Sequence, residues 1–185
     1  MAAHGFLRRV PHRHESGTVT TNFLCLASPL SAAPTIPPVP HAQTGTKLTD
    51  SAPVARLTAR QSALGSLVLD GATSAWWELA GSQRTGFLDG GVRESHLPEF
   101  ANRPILELFD GRLYLGAKHA RELRRVLVRA DRALTVTGVG GARITVVPAP
   151  HGETVLHVSV IGAELELRRE VVRDGEDPGR AFGFR

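Results

Sequence analysis

Asp110-Gly111 constrains the fold of this chain more tightly than any other pair in it. It stands between Leu106-Glu107-Leu108-Phe109 and Arg112-Leu113-Tyr114-Leu115, and Asp-Gly supplies the positive φ angles that a two-residue type I′ turn demands. Such a turn fixes the register: Phe109 faces Arg112, Leu108 faces Leu113 and Leu106 faces Leu115. Side chains alternate along a strand, so the four leucines share one face while Glu107 and Tyr114 meet on the other. A hairpin with a solid leucine face needs a second layer to cover it.

The segment that follows carries a helical periodicity. At about 100° per residue, Ala120, Leu123, Leu127, Ala130 and Leu134 fall on one stripe, and Lys118, Arg121, Arg125, Arg129 and Arg132 fall opposite. That spacing predicts a long basic helix from Ala117 to Ala133, with Gly116 as a weak N-cap. Beyond it, four strands are expected. Leu134 and Val136 alternate with Thr135 and Thr137, and Ala142, Ile144 and Val146 alternate with Arg143 and Thr145. Val155–Ile161 and Glu164–Val172 then form a hairpin about Gly162-Ala163. This second register sets Val160 against Leu165 and Val158 against Leu167, with His157 facing Arg168 and Ser159 facing Glu166 outside. The expected fold class is α+β: a β-hairpin, then one long amphipathic helix packed on a mainly antiparallel sheet completed by the four-strand C-terminal meander.

The rest of the chain sets the boundaries. Residues 1–50 are rich in Ser, Thr and Ala and carry four prolines between Pro34 and Pro40, so they are expected as a disordered leader or a mis-assigned start. Residues 51–172 then form a single domain, and residues 173–185 a flexible tail. A helix is expected after Asp50 from Val54, Leu57, Leu64, Leu67 and Val68. Trp76-Trp77-Glu78-Leu79 reads as a short strand or a helical turn, and residues 81–103 as loop with one brief strand. Arg8, Arg9 and Arg13 ahead of Asn22–Ala33 imitate a weak export signal over residues 1–33. Pro29 interrupts its apolar centre, and a cytoplasmic location is the expectation.

Charge narrows the function classes. The formal charge is +4 over 185 residues. Arg8, Arg9, Arg13 and Lys47 against Glu15 and Asp50 give +2 in the first fifty residues (4 − 2), and the remainder holds 18 basic and 16 acidic residues, another +2. The expected domain is nearly balanced, so nucleic-acid binding would rest on a local patch. Cys25 is the single cysteine, which excludes an intrachain disulfide and a cysteine zinc site. No apolar run approaches the roughly 20 residues of a membrane span.

No catalytic, cofactor or metal signature stands out. Thr137-Gly138-Val139-Gly140-Gly141 joins two strands and opens no helix, so it is a turn and not a phosphate cradle. Glu94, His96 and Glu99 are the one acid–base or metal-like cluster, in a loop where solvated side chains are the commoner outcome. Trp76 and Trp77 would point to opposite faces of a strand, leaving one free as a binding anchor. The expectation is therefore a small non-enzymatic binding or accessory protein, without cofactor or metal. Its contact surface would be the basic face of Lys118, Arg121, Arg125, Arg129 and Arg132, or the Trp76-Trp77 region, with a protein or a second copy as partner. The alternatives are a nucleic-acid-binding regulator using that cation row and, with less support, an enzyme using Glu94, His96 and Glu99.

Overall fold

Both hairpins form in the register read from their turns. The structure, a computed structural model, describes residues 38–63, 65–90 and 104–184. Strands β5 (Leu106–Phe109) and β6 (Arg112–Gly116) pair Leu106 with Leu115 and Leu108 with Leu113. Asp110 and Gly111 lie at φ 49° and 69°. Strands β9 (Glu153–Ile161) and β10 (Glu164–Val172) pair Val158 with Leu167 and His157 with Arg168, about Gly162 at φ 63°.

The long helix does not form, and the α+β class falls with it. Residues 117–122 make a 3₁₀ turn, and Leu123–Thr137 is a fifteen-residue strand, β7. The described helices are α1 (Ala59–Ala63), the 3₁₀ turn and α2 (Pro178–Ala181), of five, six and four residues. The fold is a mainly antiparallel sheet. The physical reason lies in Val126-Leu127-Val128, all three buried. A strand covered on both faces loses its alternation and leaves a solid apolar run. The 4-3-4 spacing of Leu123, Leu127, Ala130 and Leu134 then imitates a helix. β-Branched Val126 and Val128 favour the strand, and on β7 they share one face with Leu134 and Val136, a set no helix could align.

The helix expected after Asp50 is replaced by β2 (Val54–Leu57), α1 and the start of β3 (Ser66–Leu79). Trp76 and Trp77 thus belong to a fourteen-residue strand. β4 (Thr85–Asp89) is the brief strand in the following loop. Strand β1 (Thr46–Leu48) pairs in parallel with β8 (Arg143–Val146), and Leu48 is buried, so the sheet recruits residues ahead of the boundary placed at Ser51.

β3 and β7 organise the whole. They pair antiparallel over most of their length, with register shifts around Asp70–Ser74 that let both strands bend. On one side of the bend, β5, β6, β3, β7, β8 and β1 lie in order; on the other side lie β4, β3, β7, β9, β10 and β2. Two six-stranded sheets therefore share a bent central pair and enclose one core. Leu67, Leu69, Trp77, Leu113, Leu115, Val126, Val136, Ile144, Leu156 and Leu167 fill it. The far edge is closed where His41, just ahead of β1, bridges Arg56 of β2. α1 plugs one end: the Ser62 hydroxyl donates to Leu57 O and accepts from Leu165 N, pinning the helix to β2 and β10.

Candidate functional site

The outer face of the second sheet carries the features that the core does not explain. Register places one cross-strand row through Phe87, Trp76, Leu127, His157, Arg168 and Val54, spanning all six strands. The next row runs Thr85, Glu78, Arg125, Ser159, Glu166 and Arg56. An aromatic–apolar stripe thus lies beside a stripe of alternating charge. Facing the other way, Trp77 is buried in the core and Gly86 lies against its ring. The tandem tryptophans do point to opposite faces, and Trp76 is the one on the outer surface.

Residues 177–184 cross this face as a strap. Asp177 caps α2 by accepting from Arg180 N at 2.6 Å, and Pro178 opens the helix, where its missing N–H is harmless. Gly179 sits on the Trp76 indole with no room for a side chain. Phe184 is buried among Leu127, Val155 and Val172, and Phe182 stacks on His157 with ring centroids 5.9 Å apart. The sequence reads this stretch as a polar tail because its two phenylalanines follow a charged, glycine-containing linker.

Arg125 ties strap to sheet. Its Nε donates to Glu78 Oε2 at 2.6 Å, its Nη1 donates to Phe182 O at 2.8 Å, and its guanidinium lies 4.3 Å from the centre of the Phe184 ring. Glu78 also accepts from Arg124 Nη1 at 2.6 Å. Burial alone would raise the Glu78 carboxyl, but the hydrogen bonds and charges of Arg125 and Arg124 outweigh it and hold it below the usual range. Glu166 behaves likewise: burial opposes ionisation, while Arg168 and Arg56 bind its two oxygens and win.

His157 has the opposite balance. Burial under the strap lowers its pKa, Arg125 and Arg168 lower it further, and Glu166 only partly offsets them. Its Nε2 is buried and has no hydrogen-bond partner among the described residues. The sequence pairs it correctly with Arg168 but reads it as exposed, because nothing local announces the strap above it.

The cation row is not assembled. Lys118 and Arg121 sit on the 3₁₀ turn and help line a groove of about 310 Å³ between α1, that turn and the β9–β10 turn. Arg125 is engaged by Glu78 and the strap. Arg129 forms an ion pair with Glu153, Nε to Oε1 2.5 Å, without the alignment of a hydrogen bond. Arg132 lies at the bend of β7, beside Gly71. These five cations share a face on a helix and are scattered on a turn and a bent strand. Glu94, His96 and Glu99 lie outside the described residues. Among the described residues no cluster of His, Cys, Asp and Glu could hold a metal, and no helix is long and apolar enough to cross a membrane. Comparison with protein families, curated proteins and solved structures finds no match.

Proposed function

We propose that the protein is a non-enzymatic binding module whose contact surface is the outer face around Trp76, and that it takes an apolar, aromatic-bearing segment of a partner protein. One observation carries this. Trp76 and Phe87 form a tilted ring pair with centroids 4.9 Å apart, and Phe87 remains 38% exposed beside the strap. Two large rings left part-open at the margin of a face, next to a strap that already seats two phenylalanines there, give it the chemistry of an aromatic acceptor. Trp77, committed to the core, has no part in it. The nucleic-acid alternative draws less support, since its five cations are dispersed and two are held by carboxylates.

Site-specific photo-crosslinking tests the proposal. A crosslinking side chain at Phe87 should capture a defined partner in the native host, and one at Phe109, 66% exposed on the β5–β6 turn, should not. Capture should be lost on Trp76→Ala in a protein that still melts cooperatively. No capture at Phe87, or the same products from both positions, would count against the proposal.

A further inference from the structure

We propose that the C-terminal strap is a proton-released cover: protonation of His157 loosens residues 177–184 and uncovers Trp76, Leu127, Val155 and Val172 on the outer face. This is regulation of the face assigned above and rests on that assignment only for its consequence; the release itself is measured with no partner present.

The geometry supplies the coupling. His157 lies on β9 directly beneath the Phe182 ring, and among the described residues Phe182 is tied to the sheet by one polar bond, from Arg125 Nη1 to its carbonyl oxygen. A proton on the imidazole adds a third positive charge to a site already flanked by Arg125 of β7 and Arg168 of β10. Glu166 of β10 is the one acid acting on it, and its oxygens already serve Arg56 and Arg168. None of the strap's own charged groups, Asp177 and Arg180, acts on the ring. Among the described residues the buried Nε2 has no acceptor to receive a donated proton. A charge placed there is stabilised by water, and water reaches it when the strap lifts.

The strap is also lightly tied to the sheet. Its helix has four residues, and among the described residues its hydrogen bonds are its own apart from the Arg125 contact. Elements of this kind open locally well below the free energy of global unfolding. The linker Arg173-Asp174-Gly175-Glu176 is exposed, with Gly175 at φ 79°, so the strap can swing without disturbing β10.

The sign follows from linkage. The closed form binds the proton more weakly than the open form, whose imidazole titrates near the ordinary value of about 6.5. Opening therefore rises as pH falls below that value and levels off once the closed form also takes the proton. Between pH 7.5 and 5.5 the opening constant should rise by up to about tenfold, the full factor for an open-state pKa near 6.5.

Amide hydrogen exchange reads this directly. After correction for intrinsic rates, the Ala181, Gly183 and Phe184 amides, bonded to Asp177 O, Arg180 O and Gly179 O, should lose protection over this range while the β9–β10 ladder keeps its own. His157→Gln should flatten the dependence. Flat protection in the wild type, an equal loss in the variant, or parallel loss across both sheets would overturn the proposal. If the variant does not fold, the wild-type imidazole is followed by NMR. His157 titrating at the ordinary value with no accompanying change at Phe182 and Phe184 would refute it. Strap release without partner capture would leave the pH switch standing and count against the binding face alone.

Discussion

Gly86→Ala gives the sharpest test of how the central strands pack. Gly86 is the cross-strand neighbour of Trp77 on β4, and the indole lies against it. A methyl added there would stand 2.8 Å from Trp77 Nε1 and closer still to two ring carbons. The backbone effect alone points the other way, because replacing Gly by Ala in an unstrained strand position stabilises by about 0.4–1 kcal/mol through the unfolded chain. Gly86 shows no positive φ, so that gain is available. Against it stands a ring 3% exposed, wedged in a filled core and unable to swing aside. Overpacking of this kind costs about 1–3 kcal/mol. The substitution should therefore destabilise by about 1–2 kcal/mol, reversing the sign of the backbone effect.

A double-mutant cycle isolates the cause. Trp77→Leu removes the indole, costs stability by itself and opens space above Gly86. In that background Gly86→Ala should become neutral or mildly stabilising, a coupling of about 2 kcal/mol between directly touching residues. Urea unfolding followed by circular dichroism supplies the free energies, with unchanged slopes required for the comparison. Equal effects of Gly86→Ala in both backgrounds, or a gain in the wild type, would refute the placement of Trp77 against Gly86.

Two further outcomes follow from the same packing. Glu78→Gln should destabilise by about 2 kcal/mol at pH 7, below the usual figure for a broken buried pair because Arg124 can turn to water. The native Glu78 pKa is depressed, so its stabilisation is present above the ordinary carboxylate value of about 4.3 and is lost as pH falls through the folded value. Chemical denaturation from pH 6 to pH 3 should thus show a shallower acid loss in the variant. A chain beginning at Ser51 should be molten or aggregate, because it lacks β1 with buried Leu48 and Ala42, and the Asp50 partner of Arg169. One beginning at Pro38 should melt cooperatively in calorimetry.

Local chemistry was legible wherever it was self-sufficient. Asp110-Gly111 and Gly162-Ala163 carry their turn geometry within two residues, and each fixes a whole register with it. β7 was not legible, because its fate depends on covers distant in sequence: Phe184 on one face, the β3–β10 core on the other. Local periodicity cannot tell a stripe facing one layer from a run buried between two. β1 was hidden in a proline-rich context, since three residues pairing in parallel with β8 leave almost no pattern. Trp76 was readable as a residue with a choice of faces, but His157 and Arg125 as the floor of a strap were not. No spacing relates residues 125, 157 and 182.

The loss of the helix also changes what the charges mean. On a helix, residues 118, 121, 125, 129 and 132 are neighbours whose potentials add, and their attraction to a polyanion would persist over about a Debye length. On β7, the neighbours of Arg125 and Arg129 are set by the adjacent strands, which bring Glu78 and Glu153 against them at hydrogen-bonding range. Each such pair cancels its field within a few ångströms and leaves little to steer a phosphate chain. Arg125 goes further, since one guanidinium binds a buried carboxylate, a strap carbonyl and an aromatic ring at once. Its charge is directed inward to hold the cover. If the outer face takes a partner as proposed, short-range aromatic contact should discriminate, and ionic strength should affect binding far less than whether the strap is open.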